Sequence, residues 1–576
     1  MSLFEQIMRA RGLTRSKRDA FLTPDYSAGH DPFLLPDMQN AVERLVVARQ
    51  KQEKITIYGD YDIDGLTATT VLLDGFESFG FKHVDAFIPN RFVEGYGLTI
   101  DAVERIAATG AQLIITVDCG SLSEKEIIRA NELGVDVIVT DHHNVAPVQP
   151  PAIAVINPKR LLADYPDAYE KYLLKTEDGR LKMEDGETQM PHSNSHIPYS
   201  KLYPFLDLPG VGVAFKLIQA LQTKLPGLEP GQEKWLLDLV ALGTVCDIVT
   251  LVDENRSHVY WGLKVLSQTR RPGLKALMAV SNVEPAKVNA RSLGFGLGPR
   301  MNASGRLETA QYSLDMLRAT DPMDALEKAQ KLDDMNRARR AEQDEIFKEA
   351  LVQAEKYKND NVLVVSGAGW NHGIIGIVAA KLLEKYQKPT YVLEEMGDEA
   401  KGSARSYGDF SAADAIRASD DIVTKGGGHK LAAGVTMPTA NIDAFRQRVN
   451  QFYTDQKLFN QPALLLPKAD VSADFADVTE ALIAQLDTME PFGSGNPQPV
   501  LRSDNVLVTN LRRMGADAQH VKLELQSGDG KKLQMLAFSA PPHFFVEPGE
   551  HVTVWYQPDI NEWQGRRTVE GRLLHL

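Results

Sequence analysis

The sequence predicts an α/β protein with a parallel sheet, a second α/β domain reached through a long helix, and a C-terminal β-barrel. From residue 55 to about 157, short apolar runs alternate with helical stretches, which is typical of βαβ units. Residues 321–358 carry dense alternating charge, no glycine and no proline beyond the first turn, which predicts one solvated helix. From residue 499, five strand-like runs separated by turn residues indicate a small barrel such as an OB-fold.

These patterns divide the chain into five segments, with boundaries at turn-rich or charged stretches. They are an N-terminal helical segment at 1–50, an α/β domain at 51–320, the connecting helix at 321–358, a second α/β domain at 359–455 and the barrel domain at 463–576. Residues 163–200 of the first α/β domain are polar, rich in turn formers and without periodicity. We expect them to form a surface insertion.

Composition excludes several classes of protein. No apolar run approaches the ~18 residues that span a bilayer, and the N-terminus lacks the apolar core of a secretory signal, so we expect a cytoplasmic protein without membrane contact. Two cysteines are too few for a disulfide scaffold or a thiolate zinc site. The net charge of −14 disfavours a protein that coats nucleic acid non-specifically, but it permits a local basic groove.

Acidic side chains and imidazoles cluster where the predicted strands end. Ligands of parallel sheets collect at the carboxyl ends of the strands, so we expect these side chains to meet in one crevice. The residues are Asp60, Asp62 and Asp64 in GDYDIDG, Asp118 in VDCGS, and Asp141, His142 and His143 in TDHH, with Asp247 in the apolar segment GTVCDIVTL.

The spacing of GDYDIDG also matches the start of an EF-hand calcium loop, but two features exclude that reading. The twelfth position, where an EF-hand has a bidentate glutamate, is Val71. The preceding residues 55–58 are β-branched or aromatic and predict a strand, whereas an EF-hand needs a helix there. The acids therefore belong to a different kind of cation site.

Carboxylates combined with a neutral imidazole form an oxygen-rich site that suits Mn²⁺ or Mg²⁺. So many acids in one crevice would repel each other without cations. Two divalent cations about 3.5–4 Å apart would remove that conflict, and such pairs are a common device for attack on a phosphorus centre. Separate helix caps and turn acids could explain any single aspartate, but they explain four clusters poorly.

The motifs resemble those of a known family. YGDYDIDG, VDCGS, TDHHNV and GTVCDIV, in this order, resemble the four motifs of the DHH phosphoesterase superfamily. GPRMNASGRLETA, GWNHGIIGIVAAKL, GSARS and GGGHKLAAG resemble further blocks of its RecJ branch, the single-strand-specific 5′→3′ DNA exonucleases. The resemblance runs from about residue 50 to the C-terminus. It implies a DHH catalytic domain, a DHH-associated substrate-binding domain and a nucleic-acid-binding OB-like domain.

The resemblance also implies roles for the clustered residues around two ions, Mn²⁺ or Mg²⁺. Asp118 would bridge both ions. One ion would be completed by Asp64, His142 and Asp247, and the other by Asp62 and Asp60. Some relatives have a ligating histidine where this chain has Tyr58, which increases the expected weight of Asp60. His143 would be a catalytic residue that binds the scissile phosphate or protonates the leaving oxygen, and Asp141 would orient the neighbouring histidines.

Substrate recognition is expected in the second α/β domain. We interpret GGGHKLAAG as a glycine-rich turn before a helix whose free N–H groups could hold a phosphate. By resemblance, the nucleotide path is lined by Ser403, Arg405, Ser406, Gly428 and His429, with Asn302 and Arg306 near the joint between the domains. Arg91 and Tyr96 belong to a segment, NRFVEGYGL, that resembles a loop facing the same cleft, although a purely structural role fits them equally well.

Together these features predict a metal-dependent 5′→3′ single-stranded DNA exonuclease that releases 5′-mononucleotides during DNA recombination and repair. The resemblance implies a single-strand-binding protein and a RecQ-type helicase as partners, and we expect a monomer. One alternative is a DHH phosphodiesterase acting on short oligonucleotides or cyclic dinucleotides, which the C-terminal barrel disfavours. Another is a non-catalytic DNA-binding scaffold, which the intact ligand clusters disfavour.

Overall fold

The computed structural model describes residues 1–164, 202–460, 462–515 and 518–576. The predicted surface insertion at 163–200 lies outside the described residues except for its first two. The chain packs as two compact units. The first unit contains residues 1–299, 310–329 and 467–576, and the second contains residues 300–309 and 330–466.

A fully parallel five-stranded sheet forms the centre of the first unit, as the βαβ pattern predicts. Its strands are β1 (Ile55–Gly59), β2 (Val84–Phe87), β3 (Leu113–Val117), β4 (Asp136–Thr140) and β5 (Ala154–Ile156). They lie in the order β2-β1-β3-β4-β5. Every residue of β1 and β3 is buried, as expected of central strands that are covered on both faces.

Helices precede the sheet, cover it and continue after it. In the first unit they are α1 (Leu3–Ala10), α2 (Arg15–Leu22), α3 (Met38–Lys51), α4 (Ile63–Ser78), α5 (Ile100–Ala108), α6 (Glu124–Glu132), α7 (Arg160–Asp164), α8 (Gly210–Gln222), α9 (Leu237–Cys246), α10 (Asp253–Leu266) and α11 (Pro272–Val280). Next along the chain come α12 (Gly298–Leu307), α13 (Gln311–Arg318) and the long α14 (Pro322–Lys356). The predicted connecting helix is therefore present as α14. None of the described helices is both long enough and apolar enough to cross a membrane.

The second unit is built on a mixed sheet. Its strands are β6 (Leu363–Ala368), β7 (Thr390–Met396), β8 (Glu399–Arg405), β9 (Lys425–Gly428) and β10 (Ala432–Pro438), in the order β6-β7-β8-β10-β9. Only β6 and β7 pair in parallel. The helices α15 (His372–Tyr386), α16 (Ala412–Arg417) and α17 (Ile442–Asp455) accompany it. The second α/β domain predicted from the sequence is confirmed.

The prediction of a turn and a helix at GGGHKLAAG is wrong, because this segment forms the hairpin of β9 and β10. Gly428 pairs with Ala433, and Gly426 pairs with Val435. A Cβ atom at position 428 would lie 2.6 Å from the Cα atom of Ala433, so glycine at this position permits close approach of the two strands. The phosphate site expected at a helix N-terminus is therefore absent from this segment.

The C-terminal strands close into a barrel within the first unit. They are β11 (Val471–Ser472), β12 (Leu501–Met514), β13 (His520–Gln526), β14 (Lys532–Ala537), β15 (His551–Trp563) and β16 (Arg566–His575). The helix α18 (Glu480–Asp487) lies between β11 and β12. The order is β11-β12-β13-β14-β16-β15, and an additional pairing of β12 with β15 closes the barrel. The OB-like barrel predicted from the turn spacing is confirmed.

Arg256 on α10 ties three parts of the first unit together. Its guanidinium lies 3.7 Å from the centre of the Phe21 ring. It donates hydrogen bonds to the carbonyl of Phe21 at 2.9 Å and to the carbonyls of Met489, Glu490 and Pro491, between α18 and β12, at 2.9–3.3 Å. Because this side chain is buried, it satisfies carbonyl groups that water reaches poorly.

We expect the substitution Arg256→Ala to destabilise the first unit by about 3 kcal/mol, because it leaves buried carbonyls unsatisfied and removes the contact with Phe21. Urea unfolding of the full chain, followed by circular dichroism, would measure the decrease in the free energy of unfolding. Arg337→Ala is the matched control, since Arg337 is exposed on α14 and should contribute less than about 0.5 kcal/mol. Equal losses in the two variants would contradict this account.

Candidate active site

The carboxyl ends of neighbouring strands bring the predicted acidic residues together. Asp60 follows β1, Asp118 follows β3 and Asp141 follows β4, and these three strands are adjacent in the sheet. The N–H of Asp118 donates to the carbonyl of Thr140 at 3.0 Å, which continues the pairing of β3 with β4 one residue past the end of β3. The register of the parallel sheet therefore fixes where the carboxylates meet.

The GDYDIDG segment turns sharply from β1 into α4. Asp62 caps the helix, because its carboxylate accepts hydrogen bonds from the N–H groups of Asp64 at 2.9 Å and Gly65 at 3.2 Å. A Cβ atom at Gly65 would lie 2.5 Å from the carbonyl oxygen of Asp60. Glycine at this position therefore allows the turn to close and places three aspartates at one edge.

Asp118 has an unusual backbone conformation. Its φ angle is +61°, in the left-handed region that few residues other than glycine adopt. A Cβ atom at Gly210, on the first turn of α8, would lie only 2.7 Å from the Cβ atom of Asp118. The backbone of Asp118 is thus in a sparsely populated conformation at a closely packed position, as is common at functional sites.

Asp64 and His142 complete the centre of the cluster. The N–H groups of Gly210 and Val211, at the start of α8, donate to the Asp64 carboxylate at 2.5 and 2.8 Å. The Nε2 atom of His142 lies 3.1 Å from Asp118 Oδ1, 3.6 Å from Asp247 Oδ2 and 3.8 Å from Asp64 Oδ2. One imidazole nitrogen therefore faces three carboxylates.

The ligand atoms form three overlapping groups, and within each group they lie within 4.8 Å of one another. The groups are Asp60 with Asp62 and Asp118, Asp64 with His142 and Asp247, and Asp118 with His142 and His143. Asp118 belongs to two of the groups and His142 to two. This arrangement agrees with two cation positions that share Asp118, although the ligand roles themselves stay predictions.

Buried atoms without hydrogen bonds test whether these residues fit divalent cations. Among the described residues, Asp60 Oδ1, Asp118 Oδ1, His142 Nε2 and Asp247 Oδ2 are buried and have no hydrogen-bond partner. Such atoms are rare in folded proteins, where buried polar atoms usually contact a protein group, a water molecule or an ion. Because these four lie in one cluster of oxygen and nitrogen donors, the site fits Mn²⁺ or Mg²⁺.

The electrostatics of the cluster point to the same conclusion. Burial, reinforced by Asp62, raises the pKa of Asp64 to about 7, and burial reinforced by Asp64 raises the pKa of Asp247 to about 9. Burial and the neighbouring carboxylates also raise the pKa of Asp118 well above its usual value. Burial and His143 lower the pKa of His142 to about 3, so its ring is neutral and able to ligate a cation.

Asp141 behaves differently from the other acids. It accepts hydrogen bonds from the N–H groups of His142 at 2.7 Å, His143 at 3.1 Å and Ser121 at 2.9 Å. Burial raises its pKa, but the hydrogen bond and charge of His143 outweigh burial and leave the pKa below its usual value. Asp141 is therefore ionised and hydrogen-bonded to both histidines, and its role in orienting them stays a prediction.

His143 is fixed through one ring nitrogen. Its Nδ1 atom lies 2.9 Å from Asp141 Oδ1 and 3.0 Å from the hydroxyl of Tyr96. The Tyr96 hydroxyl also donates to the carbonyl of Asp118 at 3.3 Å. Burial lowers the pKa of His143, but the hydrogen bond to Asp141 outweighs burial and raises it overall. This histidine is therefore suited to carry a proton at Nε2.

Asn157 and Lys159, which follow β5, contact or influence residues of the cluster, and the sequence motifs did not indicate them. The side-chain amide of Asn157, just after β5, donates to Ser121 Oγ and to the carbonyl of His143, each at 2.9 Å. The Asn157 side chain also accepts from the N–H of Lys159 at 2.9 Å, and the Lys159 charge lowers the pKa of both Asp247 and His142. The segment AIAVIN, residues 152–157, could have predicted a site residue at Asn157, because polar side chains at the carboxyl end of the fifth strand also face the site.

The remaining residues predicted in the first unit lie beside this cluster or support it. Tyr58 is buried, and its hydroxyl donates to the carbonyl of Gly97 at 2.8 Å, so the hydroxyl is directed to the loop that carries Tyr96. The guanidinium of Arg91 lies 4.2 Å from the centre of the Tyr61 ring. Arg91 and Tyr96 thus both contact residues that adjoin the proposed ligands.

The residues predicted for DNA binding in the second unit differ in exposure and in whether their side chains already form hydrogen bonds within the protein. Arg405 on β8 donates to the carbonyl of Ala404 at 2.7 Å and to Ser403 Oγ at 3.3 Å, and burial lowers its pKa. Ser406 is buried and its hydroxyl donates to the carbonyl of Phe410 at 2.8 Å, so it is already engaged. Gly428 and His429 are exposed at the β9–β10 turn.

Asn302 and Arg306 lie on α12, in the part of that helix that belongs to the second unit. The Nη1 atom of Arg306 donates to the carbonyl of Gly373, at the start of α15, at 2.7 Å. Arg306 therefore helps to fix α12 against α15. Contact of either residue with DNA stays a prediction.

Three family models match separate parts of the chain. The DHH family, N-terminal domain, matches residues 54–244, the DHHA1 domain matches residues 359–455, and the RecJ OB domain matches residues 469–575. The matched segments follow the order that the motifs predicted. Each of the three sheets described above lies mainly within one matched segment.

Two similar proteins carry the name single-stranded-DNA-specific exonuclease RecJ. The one from Bacillus subtilis is 36% identical over 93% of this chain, and the chain spans 63% of that protein's length. The one from Salmonella typhimurium is 32% identical, with 93% of this chain and 89% of that protein covered. Similarity thus extends along nearly the whole chain in both cases.

A solved structure is similar over almost the whole chain. It is RecJ from Thermus thermophilus in complex with Mn²⁺, with a TM-score of 0.77 and 26% identity over 99% of this chain and 75% of that one. The same protein in complex with Mg²⁺ gives a TM-score of 0.72. The order of the three matched domains, the extent of the sequence similarity and the shared architecture lead to one conclusion. This chain belongs to the RecJ family of DHH proteins.

Proposed function

We propose that this protein is a metal-dependent exonuclease specific for single-stranded DNA. The observation that carries the proposal is the set of buried ligand atoms without hydrogen bonds that lie in the overlapping groups around Asp118 and His142. A phosphodiester is the substrate that such a centre handles best, because a pair of divalent cations stabilises charge on phosphoryl oxygens. The names of the similar proteins supply the substrate class, single-stranded DNA.

The chain's own residues would share the work of hydrolysis. Asp118, with Asp60 and Asp62 on one side and Asp64, His142 and Asp247 on the other, would hold two cations, Mn²⁺ or Mg²⁺. When bound, such cations lower the pKa of a water molecule and neutralise charge on the phosphate. The remaining steps, which are binding, orientation and proton transfer, fall to protein side chains.

His143 is the catalytic residue that we assign to the leaving group. Its Nδ1 atom is held by Asp141 and Tyr96, which leaves Nε2 to donate a proton to the oxygen that departs. Water adds to phosphorus and the bond to the 3′ oxygen breaks. The released nucleotide keeps its 5′-phosphate and gains a 3′-hydroxyl, and the remaining strand begins with a new 5′-phosphate.

The domains would divide this work. The DHH domain at 51–320 would be catalytic, the domain at 359–455 would bind the strand through Ser403, Arg405, Gly428 and His429, and the barrel at 463–576 would add nucleic-acid contacts. Ser406 would act indirectly, because its hydroxyl already holds the turn at Phe410. An OB-fold commonly binds single strands through aromatic and basic side chains.

The finer features of the proposal rest on the motif resemblance. They are 5′→3′ polarity, release of 5′-mononucleotides, action in DNA recombination and repair in the cytoplasm, and cooperation with a single-strand-binding protein and a RecQ-type helicase. A helicase partner is physically reasonable, because an enzyme specific for single strands needs its duplex opened first. All three ligand groups come from one chain, which supports action as a monomer.

Digestion of a single-stranded oligonucleotide labelled near its 3′ end tests the proposal. With Mn²⁺ we expect labelled products that shorten stepwise, and with chelator or with the matching blunt duplex we expect no digestion. Immediate release of the label as a mononucleotide would reverse the proposed polarity. Binding of the strand without cleavage would favour a non-catalytic scaffold.

The substitution Asp118→Asn should lower the rate of digestion by about 10³-fold or more, because a neutral amide cannot bridge two cations or offset their charge. Single-turnover digestion at saturating Mn²⁺ would measure the loss. Asp101→Asn is the matched control, since Asp101 is exposed on the first turn of α5. Full activity of the Asp118→Asn protein would refute the assignment of this site.

Cation binding should release protons. At pH 7 without cations, Asp247 with a pKa of about 9 is protonated and Asp64 with a pKa of about 7 is half protonated, so Mn²⁺ should displace roughly one proton or more. Calorimetric titration at pH 7 in two buffers of different ionisation enthalpy would count these protons. Binding enthalpies that do not depend on the buffer would contradict the raised pKa values.

The same pKa shifts predict the pH dependence of stability. The unfolded chain has lost both protons by pH 6, whereas the folded state without cations loses the proton of Asp64 near pH 7 and that of Asp247 near pH 9. The free energy of unfolding of the cation-free protein should therefore fall as the pH rises through this range. Added Mn²⁺ should stabilise the protein more at pH 8 than at pH 6, which thermal unfolding would show.

A further inference from the structure

An exposed isoleucine in a strained conformation follows the proposed ligand Asp247. Ile248 has a φ angle of +61°, and a β-branched residue in the left-handed region is a genuine outlier. Its side chain is 74% exposed, so burial of the side chain does not explain the conformation. Strain of this kind is maintained chiefly where function requires it.

A second exposed apolar side chain lies on a rare type of helix. Residues Ser292–Leu297 form one turn of π-helix, a conformation that is frequent at functional sites. Phe295 in this turn is 76% exposed. Cβ atoms at the flanking Gly294 and Gly296 would lie 3.7 Å from Val245 and 3.3 Å from Val283, so both neighbours of Phe295 face packed protein.

Contacts on both sides of Phe295 place this π-turn beside the metal centre. The carbonyl oxygen of Leu293 lies 3.8 Å from Cys246 Sγ, and Cys246 immediately precedes Asp247. A Cβ atom at Gly298 would lie 2.7 Å from the same sulfur atom and 3.3 Å from Ile63, which stands between Asp62 and Asp64. The π-turn is therefore packed against residues that adjoin three proposed ligands.

We propose that Phe295 and Ile248 form an apolar contact for a nucleobase of the strand whose phosphate lies at the metal centre. Phe295 supplies a stacking face, and Ile248 supplies an aliphatic edge. This inference rests on the proposed function and adds a binding contact to the base beside the reacting phosphate. Stacking tolerates any base, because every base has a π-face, so the contact positions the strand without reading its sequence.

The geometry favours a base over a protein partner. Cys246 contacts Leu293, and Ile248 and Phe295 each lie two residues further along the chain from one of these two residues. The carboxylate of Asp247 stands between Cys246 and Ile248 in the sequence. A protein partner seated there would close the metal centre, whereas a flat base brings its own phosphate to it. An aromatic side chain left in water also gains by stacking, which gives the exposed position a physical reason.

Two substitutions at Phe295 test the inference. Phe295→Ala should lower kcat/KM on an oligothymidylate by about 10- to 100-fold, and Phe295→Trp should restore it, because loss of one base stack costs about that factor. Both should bind Mn²⁺ with the affinity of the original protein in calorimetric titration. Phe459→Ala is the matched control, since Phe459 is 79% exposed in the second unit and should leave digestion unchanged.

An oligothymidylate whose first residues lack bases separates stacking from a structural role. On that strand the Phe295→Ala and original proteins should be equally active, since neither has a base to stack. A loss of equal size on both strands, or weaker Mn²⁺ binding by the variant, would overturn the inference and give Phe295 a structural role. If the original protein digests the normal strand and Phe295→Ala matches it, the inference also fails while the proposed function stands.

Substitution of Ile248 supplies an independent test, because asparagine tolerates the left-handed region and lacks the aliphatic edge. Ile248→Asn should raise KM for the normal strand several-fold and leave KM for the strand without bases unchanged. An unchanged KM on the normal strand would remove Ile248 from the contact. If the original protein digests neither strand, the proposed function itself fails, which is a different result from any obtained with the variants.

Discussion

Repulsion among buried carboxylates is the constraint on which the rest of this structure depends. Asp60, Asp64, Asp118 and Asp247 lie where burial and mutual proximity both disfavour their ionised forms. A fold that only minimised its own energy would separate them. The parallel sheet and the N-terminus of α8 instead hold them together, and divalent cations would convert that electrostatic cost into affinity.

The same physical chemistry assigns different states to neighbouring residues of the same type. Asp141 is as buried as Asp118, but it accepts hydrogen bonds from three backbone N–H groups and from His143, and its pKa falls where that of Asp118 rises. Asp141 is therefore committed to protein donors and Asp118 is left for cations. His142 and His143 divide in the same way, since one is held neutral and the other gains proton affinity from Asp141.

Features that depend on local pattern could be predicted from the sequence, and features that depend on long-range packing could not. The acids from Asp60 to Asp141 were found because alternating elements fix a parallel sheet and parallel strands end at one edge, whereas Asp247, at the end of α9, was found through the motif resemblance. The hairpin at Gly428 was missed because a glycine run signals a turn locally, whereas its pairing with β10 depends on distant strands. The π-turn around Phe295 and the left-handed conformation of Ile248 leave no periodic signal in the sequence, and the π-turn packs against Val283 and against Cys246, which is distant from it along the chain.

We propose above all that one protein chain holds two cations that share Asp118. The most direct measurement is a crystal structure of the protein grown with Mn²⁺, with anomalous scattering recorded near the manganese absorption edge. The account predicts two anomalous peaks about 3.5–4 Å apart, one on each side of the Asp118 carboxylate, with His142 and Asp247 beside one peak and Asp60 and Asp62 beside the other. A single peak, or peaks that do not contact Asp118, would contradict it.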